Sequence, residues 1–265
     1  MTKIKAVIMD GDGSTITHDG ILPDNLRDLI INNPQIKWIM ATGRSLDLLR
    51  RLPIIDHLSR DVPHIVDGGG RLVLHSGESV IDHFLTSQEI NSLFDQLELE
   101  KIDFLYSYLD EEKSYIYSQN DLDHWSNRPQ FITAKATNEI GEYRQWLLTN
   151  PPTKIFMRIN SEIRLSGINW HQNEFNIDVT AKDVTKGSSC YKLLEILGLT
   201  PKETAFVFND RNDLPLIEHP ELQDIITIKV GDYLPETEAN YHVATPHDVA
   251  DVIYELINSS DMINK

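Results

Sequence analysis

Three short apolar runs mark the chain, at residues 6–9, 38–41 and 205–208, and none of them alternates apolar with polar side chains. Unbroken apolar runs of this length are typical of strands that are buried on both faces of a parallel sheet. Each run is followed by a polar cluster and then by a helical pattern. This order predicts an α/β fold in which helices connect parallel strands.

Helical patterns occur where such connections need them. Pro23 opens the pattern of residues 25–33, Ser45 is suited to cap a helix over 46–52, and Gly198 ends the pattern of 186–197. A further helix is predicted to start at residues 245–248, where threonine, proline, histidine and aspartate follow one another.

The middle of the chain predicts a separate α+β unit. Residues 86–89 form a capping box before a helix, and residues 102–109 and 115–118 have the pattern of a hairpin. A second helix is predicted over 137–148, and further strands over 154–159 and 175–179. We therefore expect an inserted domain at 84–182, between the two core segments 1–83 and 183–265.

Composition narrows the classes of function. The 265 residues include 24 Lys and Arg against 41 Asp and Glu, a formal net charge of −17. Such an acidic surface repels phosphate backbones and anionic lipids, so we expect neither nucleic acid nor a membrane as a partner. The single cysteine, Cys190, excludes an intramolecular disulfide. The first apolar stretch is far too short for a signal peptide, and we expect a cytoplasmic protein.

The first polar cluster reads Asp-Gly-Asp-Gly-Ser from Asp10 onwards. At about 4 Å the carboxylates of Asp10 and Asp12 would repel by on the order of 4 kcal/mol. A cation between them, or protonation of one, relieves this repulsion, and either suits a nucleophile beside a group that moves protons. An EF-hand loop is excluded because Thr15 stands where that loop needs glycine. A dinucleotide-binding fingerprint is excluded because Ile16 stands where that fingerprint needs its last glycine.

Two further elements offer groups that suit a phosphate. Thr42, Gly43 and Arg44 supply a hydroxyl, an uncrowded amide and a cation before a predicted helix. Lys186 stands in the first turn of a predicted helix, where a positive charge is mildly unfavourable. We therefore expect the Lys186 side chain to have a task outside its own helix.

The last cluster, residues 209–213, contributes Asp210 and Asp213. Hard oxygen ligands without His or Cys nearby favour Mg²⁺ over Zn²⁺. Ligands gather outside the carboxyl ends of strands in α/β sheets, and three polar clusters follow the three apolar runs. One such cluster alone reads equally well as the start of a loop, but three together predict one shared site.

In this order the motifs resemble the haloacid dehalogenase superfamily of phosphohydrolases. They are the aspartate motif at 10–14, the threonine motif at 42–44, Lys-Gly at 186–187 and the acidic motif at 209–213. The likeness covers the whole chain, and the large insert between the second and third motifs is similar to that of the Cof-type class, class IIB. The resemblance implies a Rossmann-like parallel sheet core with an inserted α+β cap domain.

The resemblance also implies a role for each motif residue in the hydrolysis of a small phosphorylated metabolite. Asp10 would be the nucleophile that forms an aspartyl-phosphate, Asp12 would act as acid and then base, and Lys186 would neutralise nucleophile and phosphate. The groups holding the phosphoryl oxygens would be Thr42, Gly43, Lys186 and Asn212. The Mg²⁺ cofactor would be bound by the carboxylates of Asp10, Asp12, Asp210 and Asp213.

Two departures from the motifs keep other functions open. Asn209 stands where the fourth motif usually has glycine, and Arg211 adds a cation beside the expected ligands. A phosphotransferase or phosphomutase would pass the phosphoryl group to a second sugar instead of water. A catalytically weak relative would bind a phosphorylated metabolite without turnover. For the hydrolase, the expected substrate is a sugar phosphate or a related polyol or glycerate phosphate.

Overall fold

The computed structural model describes residues 3–110, 113–129 and 131–258. The chain divides into two compact units, Met1–Ile81 with Thr185–Lys265, and Asp82–Val184. In chain order the strands are β1 (Ala6–Met9), β2 (Lys37–Met40), β3 (His64–Val66), β4 (Arg71–Val73), β5 (Ser79–Asp82), β6 (Ile102–Asp110), β7 (Lys113–Tyr117), β8 (Lys135–Thr137), β9 (Lys154–Ile159), β10 (Asn169–Asn173), β11 (Asn176–Thr180), β12 (Thr204–Phe208), β13 (Ile226–Val230) and β14 (Tyr241–Val243). The helices are α1 (Asp24–Asn32), α2 (Leu46–Leu49), α3 (Ser87–Phe94), α4 (Leu122–Ser126), α5 (Ile140–Thr149), α6 (Lys186–Leu197), α7 (Leu214–Ile217) and α8 (Val249–Asn258).

The first unit is built on a parallel sheet in the order β14-β13-β12-β1-β2. In its central register, Ile8 lies between Phe206 of β12 and Ile39 of β2. All three of the predicted apolar runs form strands of this sheet, so the predicted parallel α/β core is confirmed. Because β1 lies between β12 and β2, the carboxyl ends of these three strands are neighbours at one edge of the sheet.

Helices cover both faces of this sheet, which explains why its strands are apolar without alternation. On one face Val7 and Met9 of β1 pack with buried residues of α1 and α8, Ile253 among them. On the other face Ala6 and Ile8 pack with α6 and α7. Within the described residues, no helix is both long enough and apolar enough to span a bilayer.

The predicted helix boundaries agree with the structure to within one residue for α1 and α6 and differ more for α2 and α5. α6 spans the predicted 186–197, and Gly198 follows it in the left-handed conformation, with φ of 62°. α2 ends at Leu49 rather than at 52, because Pro53 disfavours helical backbone at the residue before it. α5 begins at Ile140 rather than at Thr137, which instead pairs with Tyr117 in the sheet.

The second unit carries a six-stranded sheet in the order β10-β11-β9-β6-β7-β8. The α3 and α5 helices pack on one face, and α4 with Phe131 packs on part of the other. The predicted capping box is present, with Thr86 N–H donating to Glu89 Oε2 at 2.7 Å. The predicted hairpin is formed by β6 and β7, and its residues 111–112 lie outside the described residues. The action of this unit as a cap stays a prediction.

The first turn of α6 packs against two backbone segments at distances that only glycine permits. A Cβ at Gly187 would lie 2.0 Å from the carbonyl oxygen of Pro215, which is far inside van der Waals contact. A Cβ at Gly69, whose φ is +105°, would lie 2.3 Å from the carbonyl oxygen of Thr185. Ser189 Oγ also donates to the Gly69 carbonyl at 2.6 Å. These contacts fix the position from which Lys186 extends.

We expect Gly187→Ala to lower the free energy of unfolding by about 1–3 kcal/mol, because an added methyl group meets backbone that cannot move aside as a side chain can. Gly141→Ala is the matched control, since it also lies in a helix but a Cβ there has no atom within 4 Å. The control should raise stability by about 0.4–1 kcal/mol. Urea unfolding of both variants measures the difference, and equal effects would contradict the close packing described.

His64, the first residue of β3, is fully buried beside β2. Its Nδ1 accepts a hydrogen bond from the Met40 N–H at 3.3 Å. Burial lowers the pKa of His64 to about 4, and the neighbouring His75 contributes to the shift. The imidazole is therefore neutral at pH 7 in the folded chain, whereas the unfolded chain binds a proton near pH 6.5.

This difference predicts a pH-dependent stability. The contribution of His64 is fully present above pH 6.5 and is lost as the pH falls towards 4, because the unfolded state binds the proton first. Over that window the loss amounts to about 3 kcal/mol. The slope of unfolding free energy against pH should flatten in His64→Gln. The exposed His247 provides the control, since His247→Gln should keep the wild-type slope.

Candidate active site

Polar residues follow three adjacent strands at the carboxyl edge of the core sheet. Asp10 comes directly after β1, Thr42 follows β2 by two residues, and Asn209 comes directly after β12. Main-chain hydrogen bonds continue beyond the strands here, with Asp10 N–H donating to the Val207 carbonyl at 2.9 Å. The shared site predicted from the three runs thus has its backbone framework at this edge.

The Lys186 ammonium links residues from the first and last motifs. Lys186 Nζ donates to Asp10 Oδ1 at 2.8 Å, to Asp213 Oδ1 at 2.7 Å and to Asn212 Oδ1 at 2.9 Å. Its side chain is 1% exposed, and those of Asp10 and Asp213 are 8% and 0% exposed. The task of Lys186 outside its own helix is thus to neutralise two buried carboxylates.

The charges at this point are held together by their mutual attraction. Burial alone would lower the pKa of Lys186, but the Asp10 and Asp213 carboxylates outweigh it and raise that pKa. Burial, followed by the Asp10 charge, raises the pKa of Asp213, and Lys186 opposes this shift. Burial also raises the pKa of Asp210, to which the Asp10 charge adds. Three neighbouring carboxyl groups therefore share one ammonium group.

The Asp12 carboxylate pairs with Arg44 of the threonine motif. Arg44 Nε donates to Asp12 Oδ2 at 2.8 Å and Arg44 Nη2 donates to Asp12 Oδ1 at 2.9 Å, which makes a bidentate salt bridge. The hydrogen bond to Asp12, partly offset by burial, raises the pKa of Arg44. The Asp12 side chain is 59% exposed, so it keeps access to solvent. The cation that the sequence suggested for phosphate is thus engaged with Asp12.

The threonine motif is held by a turn that follows β3. The N–H of Asp67 donates to the Arg44 carbonyl at 2.9 Å, and the N–H of Gly68 donates to the Thr42 carbonyl at 3.1 Å. Asp67 has a φ of +54°, a conformation that Asp and Asn adopt more readily than most residues. Thr42 Oγ1 accepts from the Arg44 N–H at 3.1 Å, which leaves its own hydroxyl hydrogen to donate.

The four predicted metal ligands all accept hydrogen bonds inside the protein, and their role as ligands stays a prediction. Within the described part of the chain, no three acidic, histidine or cysteine side chains are arranged as ligands of one metal ion. Both Asp12 oxygens accept from Arg44, and both Asp213 oxygens accept from Lys186 or from the N–H groups of residues 209 and 210. Both Asp10 oxygens also accept, from Lys186 and from Ser14, and Asp210 Oδ1 accepts from the Arg211 N–H. A hydrogen-bonded carboxylate oxygen keeps a second lone pair for a cation, and a group of carboxylates fits Mg²⁺, which takes one or two of them together with waters and substrate phosphate.

Three contacts of the site have no signal in the sequence pattern. Ser14 Oγ donates to Asp10 Oδ2 at 3.2 Å. Asn209 Nδ2 donates to the main-chain oxygen of Asp12 at 3.1 Å, while the buried Asn209 Oδ1 has no hydrogen-bond donor among the described residues. The bidentate salt bridge between Arg44 and Asp12 joins the threonine motif to the aspartate motif, and the sequence pattern does not predict this contact. An unpartnered buried oxygen at this place is a second feature that fits a cation.

Comparison with known proteins identifies the family. The sequence matches the haloacid dehalogenase-like hydrolases over residues 7–225. It is 20% identical to the protein named "Putative phosphatase YxeH" of Bacillus subtilis (strain 168), covering 96% of this chain and 98% of that one.

Solved structures share the fold over nearly the whole chain. BT1666 of Bacteroides thetaiotaomicron, described among the phosphatases of the haloalkanoate superfamily, has a TM-score of 0.76 at 15% identity, covering 96% of this chain and 95% of that one. BT4131, described as a subclass IIB sugar phosphatase, has a TM-score of 0.73 at 16% identity, covering 95% and 98%. The resemblance inferred from the four motifs is confirmed, and the chain belongs to the haloacid dehalogenase-like hydrolases.

Proposed function

We propose that this chain is a Mg²⁺-dependent phosphatase that removes phosphate from a small metabolite through an aspartyl-phosphate intermediate. The observation that carries the proposal is the buried Lys186 bonded to Asp10, Asp213 and Asn212 at the carboxyl edge of the sheet. A buried carboxylate held against an ammonium group is a suitable nucleophile for a phosphate ester, because the cation offsets the repulsion between the two anions.

The proposed reaction assigns a step to each of the two aspartates. An Asp10 oxygen attacks phosphorus, the bond from phosphorus to the ester oxygen breaks, and Asp12 gives that oxygen a proton. Asp12 then takes a proton from water as this water attacks the aspartyl-phosphate, which releases phosphate and restores the Asp10 carboxylate. Both Asp12 oxygens accept from Arg44, and the oxygen that carries the proton keeps a lone pair that can still accept.

Donors for the phosphoryl oxygens are proposed from the remaining motif residues. The hydroxyl of Thr42 retains a hydrogen to donate, and the Gly43 amide is the second predicted donor. Lys186 has only hydrogens to offer, so Asn212 turns its Oδ1 towards it and directs its Nδ2 elsewhere, as a further donor. Asp10 and Asp210 would hold Mg²⁺, which when bound supplies Lewis-acid stabilisation of the phosphoryl oxygens.

The proposed substrates are sugar phosphates or related polyol and glycerate phosphates, and the proposed location is the cytoplasm. A panel of such esters, scored by phosphate release, tests the substrate class. The same reactions run with an acceptor sugar distinguish a phosphatase from a phosphotransferase, because only the latter forms a new phosphate ester. Release of inorganic phosphate as the sole product supports the hydrolase.

The decisive assay is phosphate release from p-nitrophenyl phosphate, with Mg²⁺ and with a chelator. We expect release with Mg²⁺, loss with the chelator and recovery on adding Mg²⁺ back. Asp10→Asn should lower turnover by at least about 1000-fold, because the amide is no longer a nucleophile. Its fold should persist, since the amide oxygen can still accept from Lys186. The exposed Asp19 provides a control in Asp19→Asn, and retained activity in Asp10→Asn would reject the assigned nucleophile.

A second variant separates two tasks for Arg44. If Arg44 orients Asp12, Arg44→Lys loses the bidentate salt bridge, because lysine has a single ammonium group. The variant should then lower kcat by about 10–100-fold with little change in KM, since general acid–base catalysis contributes about that much or more. If Arg44 instead bound phosphate, KM would rise. Arg51→Lys is the control, since Arg51 pairs with Asp47 on an exposed helix turn. Steady-state kinetics on one ester measures both parameters.

A further inference from the structure

Asn209 belongs to the last motif, and the proposed reaction gives it no task. It stands between the last strand residue, Phe208, and the expected ligand Asp210. Its side chain reaches across to the first motif, because Nδ2 donates to the main-chain oxygen of Asp12 at 3.1 Å. Its main-chain N–H donates to Asp213 Oδ2 at 3.4 Å. Both contacts use hydrogen-bond donors of Asn209, and neither uses its side-chain oxygen.

The side-chain oxygen of Asn209 is buried and receives no hydrogen bond from any residue that the structure describes. Turning the amide over would not help, because Oδ1 would then face the Asp12 carbonyl oxygen, acceptor against acceptor. The orientation of the amide is therefore fixed by Asp12. A buried acceptor without a donor is unfavourable, so a partner from outside the chain is expected to satisfy it.

The first motif provides space for this side chain. Gly13 has a φ of +80°, and a Cβ there would lie 2.3 Å from Asn209 Nδ2. A larger residue at position 13 would displace the Asn209 amide from the Asp12 oxygen. The Asn209 amide therefore requires glycine at position 13 in the facing loop. This requirement indicates that the position of the amide is a specific feature of the site.

The residues in contact with Asn209 indicate which kind of partner its side-chain oxygen takes. The atoms bonded to Asn209 are a carbonyl oxygen of residue 12 and a carboxylate oxygen of residue 213, and Asp210 follows it directly. The oxygen acceptor of a residue that is bonded to two acidic residues and precedes a third is suited to a hard divalent cation or to a water bound by that cation. A substrate phosphoryl group would add further acceptors and does not fit.

We propose that Asn209 Oδ1 is an additional oxygen ligand of the divalent cation, either directly or through one cation-bound water. This inference rests on the proposed function, which requires the cation at Asp10 and Asp210. As a neutral amide, Asn209 adds coordination without adding charge to a site that already holds several carboxylates. It would add an oxygen ligand to carboxylates that already accept hydrogen bonds inside the protein.

The test is calorimetric titration of Mg²⁺ into chelator-treated protein, without substrate. Asn209→Gly should raise the Mg²⁺ Kd by about 10-fold or more, in the range found when groups that support a metal site are removed. Asn209→Asp keeps an oxygen and gains charge, so it should bind Mg²⁺ at least as tightly as the wild type. Both variants lose the hydrogen bond to Asp12, so a merely structural Asn209 would weaken both equally, and that result overturns the proposal.

A control variant and the wild type distinguish failure of this inference from failure of the proposed function. Asn25 Nδ2 donates to the His247 carbonyl at 2.7 Å, so Asn25→Gly removes a similar link between two segments and should leave the Mg²⁺ Kd unchanged. Thermal unfolding in chelator checks that each variant folds. If the wild type binds Mg²⁺ and releases phosphate while Asn209→Gly keeps its Kd, only this inference fails. If the wild type neither binds Mg²⁺ nor releases phosphate, the proposed function fails with it.

Discussion

The arrangement of the site depends on the buried ammonium of Lys186. It is bonded to carboxylates from two distant parts of the chain, and none of the three groups has more than slight contact with water. Removing Lys186 would leave the buried carboxylates without a compensating charge, at a cost of about 3–5 kcal/mol. Replacing the whole cluster with apolar residues would often be neutral or stabilising. The cluster is therefore better explained by its chemistry than by stability.

The position of that ammonium follows from close backbone packing at the start of α6. Gly187 lets the helix approach the Pro215 carbonyl, and Gly69 lets the turn after β3 approach Thr185. The same turn also donates hydrogen bonds to the carbonyls of Thr42 and Arg44. One short turn thus connects the threonine motif with the helix that carries the lysine. A shift of that turn would move both parts of the site together.

The sequence predicts which residues lie at the carboxyl ends of the strands, because the topology places them there. It does not predict which hydrogen-bond partner an individual side chain has. Asp10 and the last motif meet because parallel strands place their carboxyl ends at one edge, and the apolar runs reveal those strands. Arg44 has two possible partners, a phosphate or a neighbouring carboxylate, and the spacing of residues does not decide between them. The early end of α2 had a visible signal in Pro53. The shift of Thr137 into a strand had none, because β8 depends on pairing with β7.

The charges at the site also affect how an anionic substrate binds in the proposed reaction. Lys186 and Arg44 are each already bonded to carboxylates, so neither offers an uncommitted positive charge to a phosphate dianion. The whole chain carries a formal charge of −17, which adds to the repulsion of an anionic substrate. In the proposed reaction a divalent cation would therefore aid substrate binding as well as the chemistry. Neutral ligands such as amide oxygens serve that need better than further carboxylates, because they leave more of the cation's charge for the phosphate.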